Sequence, residues 1–311
     1  MIPVMLDVDP GHDDAVAIML ACGATELEVR AVTTVAGNVP LEKTTRNALR
    51  VLTFLGCSEI PVAAGAGAPL ERQLVTAEHV HGQSGLDGVK LPEPGFEPDG
   101  RGALRLMAEV VRGSSEPVAL IPTGPLTNVA AFLRECPELR SGVERVVLMG
   151  GSHGPGNTTP AAEFNAYVDP EAARAVFRSG LPVTMVGLDV TRKAVAGPGE
   201  LQALRNLGRV GNAAADLASY GFGGSAGSGP IHDAVAVAAV VEPGLLETRP
   251  AYVDVECEGG ITCDETVCDF AGVAGEPPNA GVGLDLDPER FFELLYRSLK
   301  NLQEAGSGPA S

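Results

Sequence analysis

Val4-Met5-Leu6-Asp7-Val8-Asp9-Pro10-Gly11-His12-Asp13-Asp14 runs from a short apolar segment into four closely spaced acids, and the helical run Ala15–Ala21 follows at once. A strand that ends in a polar turn and opens a helix is the building unit of an α/β fold. Period-two spacing predicts Asp7 and Asp9 on one face of that strand, and Gly11 permits a tight turn before Asp13 and Asp14 start the helix. One or two acids suffice to cap a helix and complement its dipole. Four carboxylates this close repel one another, and either protonation or a hard divalent cation held by oxygen relieves the repulsion. The stretch therefore predicts a cation site at the end of the first strand.

The same alternation continues along the chain. Val29–Val35, Val62–Ala64, Val118–Pro122, Val146–Met149 and Val183–Leu188 read as further strands after Val4–Val8. Amphipathic runs at Leu41–Leu55, Leu104–Val111, Leu126–Arg134 and Pro170–Phe177 read as helices between them. This pattern predicts an α/β fold: a mainly parallel central sheet, open and doubly wound, with helices on both faces. Ligands of such sheets sit beyond the carboxyl ends of the strands. Polar clusters fall there, at Asp7–Asp14, Gly37-Asn38 and Thr123-Gly124. After about residue 245 small additional elements follow, with strand-like Ala251–Glu256 and Thr266–Asp269 and a last helix from Pro288 to about Gln303. A single catalytic domain over residues 1–304 is expected, with a disordered tail over 305–311 and a mobile Gly/Ser-rich loop over 220–229.

Composition excludes several partners. The 311 residues carry a net charge of −18 and no basic run, which argues against nucleic acid, whose phosphates require basic patches. No segment approaches the roughly 20 apolar residues of a membrane span. The opening apolar run meets Asp7 too early for a secretory leader, so a cytoplasmic location is expected. The six cysteines, Cys22, Cys57, Cys136, Cys257, Cys263 and Cys268, form no Cys-x-x-Cys pair and no common zinc spacing, which predicts buried, reduced thiols.

Short glycine motifs occur in a chain with 39 glycines and carry little. Gly221-x-Gly223-x-x-Ala226 has the form of a dinucleotide fingerprint but follows the helical run Ala213–Ser219 rather than a strand. Gly-x-Ser-x-Gly sequences centred on Ser152 and Ser225 lack the strand-to-helix setting of a nucleophile elbow. Asp-x-Asp at the end of a first strand also occurs in haloacid dehalogenase-like phosphotransferases. Here Pro10-Gly11 and two more acids follow, and the later asparagine-bearing blocks have no use at a phosphate site, which requires a central Lys or Arg.

Seven ordered blocks resemble the inosine–uridine nucleoside hydrolases, also called nucleoside N-ribohydrolases, over about residues 3 to 300. They are Asp7-Val-Asp9-Pro-Gly11-His-Asp13-Asp14-Ala-Val-Ala, Val32-Thr-Thr-Val-Ala-Gly-Asn38, His79-Val-His81-Gly-Gln-Ser-Gly, Pro122-Thr-Gly-Pro-Leu-Thr-Asn128, Val147-Leu-Met-Gly-Gly151, Ala162-Glu-Phe-Asn165-Ala-Tyr-Val-Asp-Pro170 and Ile231-His-Asp233. The resemblance implies calcium-dependent hydrolysis of the N-glycosidic bond of ribonucleosides to free base and ribose. It implies a calcium ion on Asp9, Asp14, Asp233 and the backbone carbonyl of Thr123, with Asp9 as general base for a metal-bound water. Asp13, Asn38, Asn157, Glu163 and Asn165 would bond the ribose hydroxyls. Met149 would form an apolar wall to the sugar or serve as a core methionine.

At the base end, His232 would act as the leaving-group acid or merely orient its neighbours, and His81 would lie on a loop near the base. His12 takes no catalytic role in this reading, and His153 takes a lid or solvent position. The Ser84-Gly-Leu-Asp-Gly88 continuation resembles pyrimidine-preferring relatives. The segment before Ile231 departs from many relatives, with only Tyr220 and Phe222 as aromatic residues near the base pocket. A homodimer or homotetramer is the expected assembly. The non-enzymatic alternative is a calcium-dependent nucleoside- or ribose-binding protein without turnover.

Overall fold

Strand β1 (Ile2–Val8) shows why the opening stretch governs the architecture: Val4, Leu6 and Val8 enter one apolar cluster and Met5 the other, so the period-two pattern serves two faces of a buried strand. The structure is a computed structural model, describing residues 1–220 and 229–306. After β1 come β2 (Leu27–Thr34), β3 (Val62–Ala64), β4 (Val118–Pro122), β5 (Val143–Met149), β6 (Val183–Val186), β7 (Val195–Ala196), β8 (Gly229–Pro230), β9 (Leu246–Val255), β10 (Thr266–Asp269) and β11 (Ala280–Leu286). Nine of them form one open sheet in the order β10-β9-β11-β6-β5-β4-β1-β2-β3. Neighbours from β3 to β11 pair in parallel, and β9 joins β11 and β10 antiparallel. The expected mainly parallel α/β sheet is what the chain forms.

Helices cover both faces. His12–Gly23, Leu41–Leu55, His232–Val241 and Pro288–Ala305 pack on one side, and Ala103–Gly113, Thr127–Glu135 and Pro170–Phe177 on the other. His12–Gly23 and His232–Val241 are buried almost all round, as helices without a polar stripe must be, and they lie against each other. Their N-termini carry Asp13, Asp14 and Asp233.

Several expectations need correction. The additional C-terminal strands extend the central sheet, and β11, which the sequence reading lacks, is placed between β6 and β9. That strand escapes a sequence reading because Gly281 and Gly283 dilute its apolar signal; a Cβ on Gly283 would lie 3.3 Å from the carbonyl oxygen of Met185 on β6. β6 stops at Val186, and Leu188–Thr191 turns into a short helix. β1 ends at Val8, so Asp9 lies beyond the strand and the predicted shared face with Asp7 does not exist. Asp7 bonds Thr33 Oγ1 at 2.6 Å and Asn128 Nδ2 at 2.8 Å, and burial pushes its carboxyl up to about 6. The six free thiols are each partly exposed rather than fully buried. The expected loop falls on residues 221–228 and most of the expected tail on 307–311, both outside the described residues; Ala305 is the last helical residue.

A close helix crossing constrains Gly23. A Cβ on Gly23 would stand 2.1 Å from the carbonyl oxygen of Ser298 in the helix Pro288–Ala305, a contact with backbone that no rotamer relieves. Gly23→Ala is expected to destabilise the protein by about 1–3 kcal/mol through overpacking, measured by urea unfolding. An unchanged midpoint would show that the helices separate freely at this point.

Candidate active site

Two buried helix N-termini and three strand ends bring the acids together. Asp13, Asp14 and Asp233 each offer a carboxylate oxygen, and the three atoms lie within 4.8 Å of one another. Asp14 is the most heavily bonded. Its Oδ1 accepts from the Asp9 amide (3.2 Å) and Thr123 Oγ1 (2.8 Å), and its Oδ2 from the Gly11 amide (3.0 Å) and Asn38 Nδ2 (3.2 Å). Asp9 stands outside the trio. Its Oδ2 accepts from the Asn38 amide at 2.7 Å, whereas its Oδ1 is buried with no hydrogen-bond partner among the described residues. Cβ atoms on Gly37 and Gly124 would fall 2.1 Å and 2.6 Å from the two Asp9 oxygens, so only glycine admits this carboxylate.

Burial and mutual repulsion disfavour ionisation throughout the cluster. Burial, then Asp14, holds Asp9 well above the usual carboxylate range, and burial, then Asp13, raises Asp14. Asp13 is pushed up to about 6 by burial. Asp233 is held far up by burial and then by Asp13, Asp14 and Asp9. Convergent hard oxygen donors, a repelling set of charges and an orphaned Asp9 Oδ1 fit a divalent cation of the calcium or magnesium type. Thr123 adds a backbone carbonyl that accepts from Asn165 Nδ2 at 2.7 Å and retains a second lone pair.

A cavity of about 440 Å³ opens beside these acids. Asp13, Asn38, His81, Met149, Asn157, Glu163, Asn165, His232 and Asp233 reach its wall, together with the Thr123 residue; Asp9 and Asp14 are buried outside the lining. Glu163 caps the helix Phe164–Val168. Its Oε1 accepts from the Asn165 amide (3.0 Å) and its Oε2 from the amides of Gly151 (2.8 Å) and Ala166 (3.1 Å). Asn165 Nδ2 also donates to the Met149 carbonyl at 3.1 Å. Asn157 is exposed and its Oδ1 accepts from the Phe164 amide at 2.9 Å. Met149, the last residue of β5, belongs to the core cluster and also reaches the cavity wall.

The imidazoles occupy another part of the wall. His232 opens the helix His232–Val241, and its Nδ1 lies 2.7 Å from Thr191 Oγ1; burial pulls its pKa down to about 4. His81 ends the short helix Glu78–His81, half-buried, and burial likewise pulls it down to about 4. His153 lies outside the lining, exposed, 3.6 Å from Asp189, as a solvent position requires. The residue that sequence reasoning passed over is His12. It is buried, forms part of the cavity wall, and its Nδ1 lies 3.2 Å from His81 Nδ1. Its place in the first helical turn, between Gly11 and Asp13, was the available signal. Val75, Leu217 and Ala218, which belong to none of the quoted blocks, supply an apolar wall together with Val80.

Comparison with known proteins follows the same lines. The family model described as inosine-uridine preferring nucleoside hydrolase matches residues 4–293. The chain is 48% identical, over 310 aligned residues, to the pyrimidine-specific ribonucleoside hydrolase RihA of Escherichia coli O139:H28 (strain E24377A / ETEC), covering 96% of this chain and 98% of that protein. Among solved structures, a purine-preferring ribonucleoside hydrolase from Gardnerella vaginalis superposes with a TM-score of 0.90 at 31% identity, covering 97% of this chain and 99% of the other. An inosine-guanosine nucleoside hydrolase gives 0.89 at 29% identity, covering 96% and 99%.

The acid cluster generates a stability prediction. With no divalent cation bound, Asp233→Asn removes one member of a repelling, desolvated set and is expected to stabilise the protein by about 1–4 kcal/mol. Added calcium is expected to raise the thermal midpoint of the wild type, and the same change is expected to abolish that rise. Both are read by calorimetry in EDTA and in calcium; a destabilised variant in EDTA would show that the acids are not in net repulsion.

Proposed function

The chain belongs to the inosine-uridine preferring nucleoside hydrolase family, and from that premise we propose how its residues divide the hydrolysis of a ribonucleoside. The protein is an N-ribosyl hydrolase: water replaces the base at the anomeric carbon, and the products are free base and ribose. The observation that carries the assignment of roles is that one cavity joins Asp13 and Asp233 to the polar set Asn38, Glu163 and Asn165 and to the imidazoles of His81 and His232. Neither a phosphotransferase nor a non-catalytic binding protein is favoured by that setting or by the relatives.

Calcium is the cation we assign to Asp9, Asp14, Asp233 and the Thr123 carbonyl, where it would supply Lewis-acid activation of water and an anchor for ribose hydroxyls. Asp9 is the general base, since its Oδ1 is an acceptor with no donor from the described chain. Breaking the bond builds positive charge on the ribosyl group, and the acid cluster is the part of the cavity that favours such charge. Asp13, Asn38, Asn157, Glu163 and Asn165 hold the hydroxyls. Asn165 and Glu163 are fixed by backbone partners, so they keep their geometry as the sugar changes shape.

His232 and His81 serve the departing base. Burial keeps both uncharged, and in the tautomer whose Nδ1 accepts from the Thr191 hydroxyl the His232 proton sits on Nε2, free to bond the base. The greater identity to a pyrimidine-specific relative than to a purine-preferring one leads us to propose uridine and cytidine as preferred substrates. We assign the activity to one domain over residues 1–304 and, by resemblance, a cytoplasmic homodimer or homotetramer. No helix among the described residues is long and apolar enough to cross a membrane.

Free ribose released from uridine, cytidine, inosine, adenosine and deoxyuridine, with calcium and after EDTA dialysis, tests this reading. Release is expected to need calcium and to fall by ~10²–10⁴-fold in Asp9→Asn. Deoxyuridine is expected to be poorer than uridine by at least ~100-fold, because a missing 2′-hydroxyl leaves buried polar groups unpaired. EDTA-resistant turnover would remove the calcium assignment, and comparable turnover of deoxyuridine would remove the ribose-holding one.

A further inference from the structure

His12 has both ring nitrogens engaged. Its Nε2 lies 2.9 Å from the backbone carbonyl of Asp87, a group that can only accept, so Nε2 carries the proton. In the uncharged ring Nδ1 is then an acceptor, and it sits 3.2 Å from His81 Nδ1. The backbone amide of His12, which can only donate, approaches the same His81 nitrogen at 3.3 Å. Each tautomer of His81 thus finds one partner on His12. With a lone pair at Nδ1 it accepts from the amide and carries its proton on Nε2; with a proton at Nδ1 it donates to the His12 ring. His81 Nε2 has no hydrogen-bond partner among the described residues, and His81 reaches the cavity wall.

The clamp is itself built into the fold. Tyr220 stacks on His12, ring centroids 4.2 Å apart and planes 12° from parallel. The Asp87 carboxylate accepts from the amides of Gln83 (2.9 Å) and Ser84 (3.1 Å), which fixes the loop whose carbonyl holds His12. The same edge of His81 rests on Gly11, where a Cβ would fall 2.7 Å from His81 Nδ1. The imidazole is therefore gripped by the turn that also delivers Asp13 and Asp14.

We propose that His12 is a positioning residue for the departing base: with its ring clamped by Asp87 and Tyr220, it holds the His81 ring so that Nε2 faces the base, and the tautomer that accepts from the His12 amide is the one that offers the base an N–H. This rests on the base-side assignment of His81 made above. It predicts an effect that depends on the leaving group, because a nucleofuge such as 4-nitrophenolate needs no help to depart whereas a nucleobase does.

The test compares uridine with 4-nitrophenyl β-D-ribofuranoside in the calcium-loaded enzyme, using His12→Phe, His81→Ala and the double variant. His12→Phe keeps a ring against Tyr220 and the backbone amide that faces His81 Nδ1, and removes the ring hydrogen bonds to the Asp87 carbonyl and to His81 that hold the clamp in place. It is expected to lower kcat on uridine about 10–100-fold, with kcat on the nitrophenyl riboside within about twofold of wild type and little change in KM. His81→Ala should show the same pattern, and the double variant should be no worse than His81→Ala, since His12 acts only through His81. His12→Asn, which keeps a polar atom near the place of Nδ1, should recover part of the loss and serves as the readout should His12→Phe fail to fold. Equal losses on both substrates, or losses that multiply in the double variant, overturn the inference. If His81→Ala leaves uridine turnover intact, the base-side assignment itself falls, and that outcome is distinct from a failure of His12 alone.

Discussion

Asp9, Asp13, Asp14 and Asp233 are held in a volume from which water is largely excluded, and the mutual repulsion of these carboxylates is the constraint to which the surrounding structure answers. Two helices without a polar stripe begin there, and their N-terminal amides, which have no partner within the helix, present positive partial charge to the acids. Asp14 gathers four donors from four different residues. Asn38 spends its amide on Asp9 Oδ2 and its side chain on Asp14 and the Asp9 carbonyl. Glycines at 37 and 124 let backbone approach the Asp9 carboxylate more closely than any Cβ would allow. The motif residues around the acids are thus largely the means by which the acids are tolerated.

How much of this was legible in the sequence follows from the kind of signal each element leaves. Leu41–Leu55 and Pro170–Phe177 have a polar face, and both helices occupy the predicted ranges. β3 and β4 likewise coincide with their apolar runs. β11 failed because glycine contributes no apolar side chain, and His232–Val241 leaves no period because it is apolar on every side. Asp9 was misplaced onto the strand because alternation in sequence does not say where the ladder stops; β1 stops one residue earlier.

The site was legible where one short segment carries its residues and obscure where distant segments meet. The order Asp-Pro-Gly-His-Asp-Asp leads directly to acids that the fold gathers, and the later blocks lead to Asn38, Glu163 and Asn165, which reach the cavity wall. The link from Asp87 to His12 to His81, capped by Tyr220, joins three separated parts of the chain through a carbonyl, two imidazoles and a ring face. No spacing rule encodes such contacts. His12 looks dispensable in sequence because its partners are 69 and 75 residues away.

The two regions of the cavity have opposite electrostatic character, and each suits one half of the bond being broken. Clustered carboxylates destabilise the cation-free fold, yet the same negative field favours a ribosyl group as it becomes positive. The departing base becomes negative and requires a hydrogen-bond donor. A buried imidazole kept uncharged at neutral pH can offer an N–H without adding a cation that would neutralise the field at the sugar. Charged lysine or arginine at that position would satisfy the base more strongly but would draw the carboxylates toward itself. The absence of Lys and Arg from the cavity lining, among the described residues, is therefore consistent with the chemistry of the acids beside it. In the proposed division of roles, uncharged histidines in contact with Thr191 and His12 keep the two demands separate within one cavity.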